Sequence, residues 1–307
     1  MKRTLVLGVL FAAGALTISV SAMQQAGQPA RVIDVEKLRD NLYVMRGGGG
    51  NSAVFITSSG VVVVDTKNPG WGQPLLDKIK TVTDRPVTMI VNTHTHGDHV
   101  SGNVEFPATV EVVTHANTAK NMQQMRTPTG ITPAPGTPAN IFKENNGRGL
   151  PRRTFTDSLK IGSGADEIEL RYFGRGHTDG DAWVIFPAVR VMHAGDIFSG
   201  KNIPLIDGNN GGSGVEIGRT LARAADAAGN VESIITGHST VMTVADLREY
   251  ARFNDDFANA VREARKKGVS VEEFAKTWKI PAQYKGYAEP QPGRLLANAR
   301  IVWDELK

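Results

Sequence analysis

The chain has 307 residues, and its 40% of apolar and 21% of charged residues are typical of a folded globular protein rather than a disordered one. Its 35 Lys and Arg outnumber its 31 Asp and Glu. Without Lys2 and Arg3, which lie in a segment that we expect to be removed, the excess is two, too small to indicate a nucleic-acid partner. The sequence contains no cysteine, which excludes disulfides, thiolate metal sites, iron–sulfur clusters and cysteine nucleophiles.

Residues 1–22 have the pattern of a signal peptide. Lys2 and Arg3 precede an apolar run over residues 5–20, and small residues stand directly before Met23. The alternative is a membrane anchor, for which this run is short. We therefore predict cleavage before Met23, a mature protein that is periplasmic or secreted, and no stable association with a membrane after cleavage.

Short β-branched runs dominate the first half of the mature chain, and a long irregular segment ends it. The runs predict strands at residues 41–45, 52–57, 60–65, 86–92 and 109–114, with helices at 71–83 and 117–125. Residues 127–153 contain five prolines and four glycines with little periodicity, so we predict no regular element there.

The second half continues with strands and becomes helical toward its end. Strands are predicted at residues 167–173, 182–186, 190–193 and 231–236, and helices at 213–228, 243–267 and 294–306. Ser213 with Glu216, and Ser270 with Glu273, have the spacing of capping boxes that begin helices. The chain shows no repeat and no linker, so we predict a single α/β domain over residues 23–307 with a helical C-terminal extension.

Three of the seven histidines fall in the segment His94-Thr95-His96-Gly97-Asp98-His99, directly after the predicted strand 86–92. Open α/β sheets place ligands at the carboxyl ends of their strands, and imidazole and carboxylate are suitable zinc ligands. His94 and His96 point to the same side of an extended chain, so both can reach one ion. Gly97 would let the backbone turn and direct Asp98 and His99 toward a second ion.

Three more ligand-type residues share one sequence pattern. In each case an apolar run ends, a glycine appears, and a single ligand-type side chain comes next. His177 follows the predicted strand 167–173, Asp196 follows 190–193 and His238 follows 231–236. Each histidine alone would more often be structural, but their shared placement favours one site at one edge of the sheets. His193 and His115 are left out of this set, because packing or local hydrogen bonding explains them better.

The motif His94-x-His96-x-Asp98-His99, followed in order by His177, Asp196 and His238, resembles the metallo-β-lactamase superfamily. The resemblance covers the chain from the glycine run near residue 47 to His238. It implies an αββα sandwich, in which helices flank two mixed β-sheets and a dinuclear metal site lies at one edge.

The resemblance also implies a role for each residue of the motif. His94, His96 and His177 would hold the first metal, and Asp98, His99 and His238 the second, with Asp196 bridging both. Asp65 resembles a buried aspartate that orients the ligands. The expected cofactors are two Zn²⁺ ions, with iron or manganese as alternatives. A metal-bound hydroxide would attack an acyl carbon of a small molecule, with Asp98 orienting this nucleophile.

The bond that is cleaved remains open at this stage among esters, thioesters, lactones and amides. The absence of cysteine excludes the cysteine-ligated β-lactamase subclasses. The all-histidine β-lactamase subclass has serine at the position of Asp196. An aspartate at this position is similar instead to the thioesterase, lactonase and phosphodiesterase branches of the superfamily. A metallo-β-lactamase acting on β-lactam antibiotics is the alternative, and a non-catalytic periplasmic zinc-binding protein is the alternative of another class. We expect a small-molecule substrate and no nucleic-acid partner; the oligomeric state is not predicted.

Two further segments are expected to contact the substrate. Gly47 to Gly50 would form a flexible hairpin over the metals, or else an ordinary turn. Residues 127–153 would form a lid with Ile131, Ile141 and Phe142 facing the substrate, or else a surface loop without this role. Lys201 would bind a carboxylate of the substrate, although an exposed lysine without function is more common.

Overall fold

In the computed structural model, which describes residues 31–307, the β-branched runs form two mixed sheets. The expected signal peptide lies outside the described residues. The first sheet has the order β1 to β7, antiparallel from β1 to β4 and parallel from β4 to β7. Its strands are β1 Asp34–Arg39, β2 Leu42–Arg46, β3 Ser52–Thr57, β4 Gly60–Val64, β5 Val87–Val91, β6 Glu111–His115 and β7 Arg153–Phe155.

The second sheet has the order β12-β11-β10-β9-β8, with β11 and β12 parallel and the other pairs antiparallel. Its strands are β8 Ser158–Ile161, β9 Ile168–Arg171, β10 Trp183–Phe186, β11 Val191–Gly195 and β12 Ser233–Thr236. Sequence patterning found neither β8 nor the edge strands β1 and β7, because these strands expose much of their surface and lack a continuous apolar run.

Eight α-helices lie within the described residues. They are α1 Gly72–Ile79, α2 Gly97–Val100, α3 Ala116–Met122, α4 Ile141–Glu144, α5 Ile217–Asp226, α6 Val244–Lys266, α7 Val271–Thr277 and α8 Pro292–Glu305. None of them is long and apolar enough to cross a bilayer.

Three apolar layers show how the elements stack. Between the sheets, side chains from both inner faces pack together, and the rings of Phe55 and Phe186 lie 4.9 Å apart. Outside the first sheet, Leu75 and Ile79 of α1 pack on the strands. Outside the second sheet, Leu221 of α5 and Leu247 of α6 do the same. This is helix, sheet, sheet, helix, and the predicted αββα sandwich is confirmed.

The capping signals are only partly realised at the predicted helix starts. Ser270 begins α7 by accepting from the backbone of Glu273, as predicted. The prediction at Ser213 is wrong in position, because its hydroxyl accepts from the backbone of Glu216 but the helix begins only at Ile217. A complete capping box begins α6 at Thr243. The Thr243 hydroxyl accepts from the backbone of Asp246, and the Asp246 carboxylate accepts from the backbone of Thr243.

Candidate metal centre

The histidine-rich segment leaves the carboxyl end of β5 in an extended conformation and then turns into a short helix. His96 has extended dihedral angles, so His94 and His96 lie on one side with their rings 4.7 Å apart. The backbone turns at Gly97, as predicted, but Gly97 is not among the glycines with positive φ. Gly97 is the first residue of α2, and it is this helical turn that carries Asp98 and His99 to the next position.

The remaining three residues reach the same edge from the second sheet. His177 lies in the connection between β9 and β10, Asp196 directly follows β11, and His238 lies two residues after β12. The structure therefore brings all seven sequence-predicted residues together. Among these seven residues, two groups form, each with ligand atoms within 4.8 Å of one another, and a third such group of Asp65, His94 and His99 overlaps both. The first group is His94, His96, His177 and Asp196, and the second is Asp98, His99 and His238.

Asp196 lies between the two groups. Its Oδ1 is 3.2 Å from Nε2 of His99, and its Oδ2 is 3.1 Å from Nε2 of His238 and 4.0 Å from Nε2 of His177. Ligand atoms that surround a tetrahedral zinc ion at about 2.1 Å lie about 3.4 Å apart. The separations therefore match those of groups that share a metal ion.

Two buried polar atoms support a cation at this place. Within residues 31–307, Nε2 of His94 and Oδ1 of Asp196 are buried and have no hydrogen-bond partner. Leaving such atoms without a partner is costly, and a metal ion bound between them would supply it. The residues present thus fit a metal centre.

His94 and His177 each use one ring nitrogen for the fold and keep the other for the site. Nδ1 of His94 donates to the Thr93 hydroxyl at 2.9 Å, and Nδ1 of His177 donates to the carbonyl oxygen of Leu205 at 2.5 Å. These bonds assign the protonated nitrogen, so the opposite Nε2 of each ring presents its lone pair.

Asp65 orients the second group through a hydrogen bond to His99. Its Oδ1 accepts from the backbone of Thr93 at 2.8 Å, and its Oδ2 accepts from the Thr93 hydroxyl and from Nδ1 of His99, both at 2.7 Å. Asp65 is fully buried and has a φ of 61°, in the left-handed region that non-glycine residues rarely adopt. The three hydrogen bonds offset that strain and fix the orientation of His99.

Asp207 is a positioning residue that the sequence analysis missed. Its Oδ2 accepts from Nε2 of His96 at 2.7 Å, which directs Nδ1 of His96 toward Nε2 of His177, 3.0 Å away. The carboxylate is fully buried and also accepts from the backbone of Thr129 at 2.9 Å. Asp207 lies in an irregular segment without a ligand-type pattern, so no sequence signal identified it.

The imidazoles of His177 and His238 have pKa values shifted in opposite directions. Burial and the neighbouring His96 lower the pKa of His177, to about 4, so this imidazole is neutral at pH 7. Burial also lowers the pKa of His238, but Asp196 and Asp98 raise it more, to about 9. The carboxylates of Asp98 and Asp196 therefore favour positive charge beside His238, which suits a metal cation.

Gly47 to Gly50 form a turn that packs against the histidine segment. The backbone of Gly50 donates to the carbonyl oxygen of Asp98 at 3.0 Å, and a Cβ atom on Gly50 would overlap the His99 ring. The buried Lys67 holds this turn in place, because its Nζ donates to the carbonyl oxygens of Met45 and Gly50 at 2.6 and 2.5 Å. The predicted hairpin is thus a turn bonded to the site.

A cavity of about 760 Å³ lies against both groups, which is within the usual size for small-molecule sites. His96, Asp98, Asp196 and His238 contribute to its lining. The segment predicted to cover the site forms one wall, and Ile131 faces the cavity as expected. The expectation for Ile141 and Phe142 is wrong, because both pack into a separate apolar cluster with Val100 and Met122.

The residues left out of the metal set have structural partners. His193 bonds the carbonyl oxygen of Asn51 at 3.0 Å, and His115 bonds that of Thr156 at 2.8 Å and stacks on Tyr172. Lys201 does not line the cavity; its Nζ forms ion pairs with Asp246 and Glu249.

Comparison with known proteins identifies the family. The sequence model of the metallo-beta-lactamase superfamily matches residues 45–248, which contain every residue of both groups. The chain belongs to the metallo-beta-lactamase superfamily. It is therefore a metal-dependent hydrolase of that superfamily, as the histidine motif predicts.

Relatives within the superfamily differ in how much of the chain they match. The Metallo-beta-lactamase type 2 of Elizabethkingia meningoseptica is 27% identical over 197 residues, which cover 59% of this chain and 69% of that protein. The structure of a metallo-beta-lactamase from Pontibacter korlensis has a TM-score of 0.59 at 20% identity and covers 73% of this chain and 100% of its own.

A third similar structure extends further along the chain. The stereoselective inverting sec-alkylsulfatase Pisa1 from Pseudomonas sp. has a TM-score of 0.65 at 16% identity, and the likeness covers 89% of this chain. This chain spans half the length of that protein. At this identity the likeness shows a shared fold, which reaches into the C-terminal helices of this chain.

Proposed function

We propose that this protein is a dinuclear zinc hydrolase that cleaves an acyl bond of a small molecule. The observation that carries the proposal is the pair of converging ligand groups that share Asp196 and face one cavity. His94, His96 and His177 would hold one ion and Asp98, His99 and His238 the other, with Asp196 between them. Bound zinc would supply a water molecule with a pKa near 7 and a Lewis acid for the oxygen of the scissile bond.

Asp98 is the catalytic residue of this proposal. Its side chain lines the cavity and is 31% exposed, whereas His99 beside it is fully buried. Burial raises the pKa of Asp98, but His99 and His238 lower it more, to about 2, so the carboxylate is ionised at neutral pH. It would accept a hydrogen bond from the attacking water and orient it toward the acyl carbon.

The reaction is a hydrolysis without a covalent enzyme intermediate. The water oxygen forms a bond to the acyl carbon, the bond to the alcohol, thiol or amine breaks, and that group leaves with a proton from the water. β-Lactams fall within the amides of this class, which the 27% identity to a Metallo-beta-lactamase type 2 supports as a substrate class to assay.

Hydrolysis of sulfate esters is the second candidate function. It is favoured by one observation, the likeness in fold to a sec-alkylsulfatase over 89% of the chain. The lactamase structure covers 73%. In this case the scissile group itself would be the anion placed between the two ligand groups.

We also propose that the chain is exported, with residues 1–22 removed before Met23, and that the mature protein is periplasmic or secreted. The basic, apolar and small-residue pattern of that segment supports this. The N-terminal sequence of protein purified from its native host tests it. A mature chain that begins at Met23 would support export, and one that begins at Met1 would contradict it.

The function is tested on purified protein by metal analysis and a substrate panel. The panel contains ester, thioester, lactone, β-lactam and sulfate ester substrates, each with and without chelator. We expect two zinc ions per chain and chelator-sensitive turnover of an acyl substrate. Turnover of the sulfate ester alone would favour the second candidate.

The matched variants are His96→Ala, within the site, and His115→Ala, a histidine with structural contacts outside it. His96→Ala is expected to lose bound metal and at least about 100-fold in turnover, and His115→Ala to retain both. Full metal content and full turnover in His96→Ala would contradict the proposed site. Stoichiometric metal without turnover of any substrate would favour a zinc-binding protein instead.

A further inference from the structure

The charges on the cavity wall have one sign outside the ligand groups. Among the described residues that line the cavity, Asp98 and Asp196 are the only carboxylates, and both belong to those groups. The other charged residues are Arg126 and Arg294. A cavity that carries cations and no free carboxylate favours an anionic ligand.

The two arginines differ in whether other protein groups accept hydrogen bonds from them. Nη1 of Arg126 lies 3.5 Å from Oδ1 of Asn121 and 3.4 Å from the carbonyl oxygen of Asn209. Arg294 is half-buried, and within residues 31–307 it makes no hydrogen bond or ion pair. Its five donors are thus available to a ligand in the cavity.

The position of Arg294 has no evident benefit for stability. It lies in the first turn of α8, where the helix dipole disfavours a cation. Arg300, further along the same helix, shows the ordinary arrangement: it is exposed and pairs with Glu272 at 3.1 Å. A half-buried, unpaired cation at an unfavourable helix position is better explained by ligand binding than by folding.

Part of the cavity lining is apolar. It includes Met125, Pro128, Ile131, Pro133, Pro138 and Leu205. Ile131 is 39% exposed, one of three large apolar side chains in the described chain with such exposure, and it faces this cavity. An exposed isoleucine in a cavity gains stability when a ligand covers it.

We propose that the substrate is an anionic molecule with an apolar body: Arg294 binds its negative group, Ile131 and its neighbours contact the apolar part, and the scissile bond lies at the two ligand groups. This rests on the proposed hydrolase function and specifies its substrate class. A carboxylate, sulfonate or phosphate would each fit the guanidinium fork.

The test compares two esters with the same leaving group and chain length, para-nitrophenyl octanoate and the anionic mono-para-nitrophenyl suberate. Arg294→Gln is expected to raise KM for the suberate ester about 10- to 100-fold, with kcat nearly unchanged, and to leave the octanoate ester unaffected. Arg294→Lys should recover part of the loss. Arg300→Gln, on the same helix, is the matched control and should change neither ester.

A binding measurement separates this inference from the proposed function. Octanesulfonate is titrated calorimetrically into the metal-containing protein, and Arg294→Gln should weaken its binding about tenfold or more while Ile131→Thr weakens it through the apolar part. If no substrate of the panel is hydrolysed but Arg294→Gln weakens octanesulfonate binding, the anion site stands and the hydrolase proposal fails. If esters are hydrolysed and Arg294→Gln changes neither KM nor octanesulfonate affinity, the anion site is refuted and the hydrolase proposal stands.

Discussion

His96 illustrates how the fold fixes a ligand before any ion binds. The carboxylate of Asp207 accepts from its Nε2 at 2.7 Å, which leaves Nδ1 facing His177. Asp207 is itself held by several donors, among them Asn210 at 2.6 Å, and these bonds lower its pKa although burial raises it. A carboxylate behind the imidazole orients the ring and increases its basicity.

Replacing Asp207 should therefore weaken the metal centre. We expect Asp207→Asn to lower metal affinity about 10- to 100-fold, because the charged acceptor of the His96 proton is lost. Competition with a chromophoric chelator measures this affinity. Asp226→Asn is the control, since Asp226 is an exposed carboxylate whose partner is Arg248 on the surface. Equal metal affinity in Asp207→Asn and the wild type would show that this bond does not orient His96.

Asp65, Asp207 and Arg294 show which single residues the sequence can identify and which it cannot. The seven site residues were predictable because each follows an apolar strand at a sheet edge, and Asp65 followed the same rule after β4. Asp207 lies in irregular chain and Arg294 in a C-terminal helix, so neither had a strand to place it. Only the folded structure identifies them: Asp207 by a short hydrogen bond to His96, and Arg294 by the lack of a hydrogen bond or ion pair within residues 31–307.

At the scale of elements, the turn between β2 and β3 is fitted to the histidine segment. Gly50 is buried with its α-carbon against the His99 ring, and Lys67 anchors the turn through two carbonyl oxygens. The glycine run predicted a turn, but it could not indicate that the turn packs on His99, because that contact joins residues 49 positions apart.

A methyl group at Gly50 should displace His99. We expect Gly50→Ala to lower turnover about 100-fold, because small displacements at a catalytic site have effects of this size. The control is Gly293→Ala, at a helical glycine where a Cβ atom meets nothing within 4 Å. Steady-state kinetics and metal analysis of both variants provide the measurement. Gly50→Ala with normal kinetics and a normal metal content would mean that the turn yields and does not constrain His99.

The strands were predictable wherever an apolar run was buried on both faces. Such runs at β4, β10 and β11 were found from the sequence within one or two residues. The irregular segment 127–153 was also recognised, but its contacts were not. Apolarity alone could not show that Ile131 lines the cavity whereas Phe142 is buried in a separate apolar cluster, since both side chains are large and apolar.

At the scale of the whole molecule, the two ligand groups join the two sheets. His94, His96, Asp98 and His99 follow β5 of the first sheet, whereas Asp196 and His238 follow β11 and β12 of the second. Hydrogen bonds cross here as well, for example from the backbone of Asn51 to the carbonyl oxygen of Gly237 at 2.7 Å. Bound metal ions would therefore connect both halves of the sandwich at one edge.

This arrangement predicts that metal stabilises the entire fold. A ligand present at 100 times its Kd adds about 2.7 kcal/mol to the free energy of unfolding, since the ligands are gathered only in the folded chain. For a chain of this size we expect chelation to lower Tm by roughly 4 to 5 °C. Differential scanning calorimetry with and without chelator measures the shift, and added zinc should restore it.

His177→Ala and Arg300→Gln separate this effect from any direct action of the chelator. His177→Ala removes a ligand of the first group, so its Tm should already be low and should respond less to chelator than that of the wild type. Arg300→Gln changes only a surface ion pair and should keep the full response. An unchanged wild-type Tm after complete metal removal would mean that the sheets are held together at this edge by their own contacts alone.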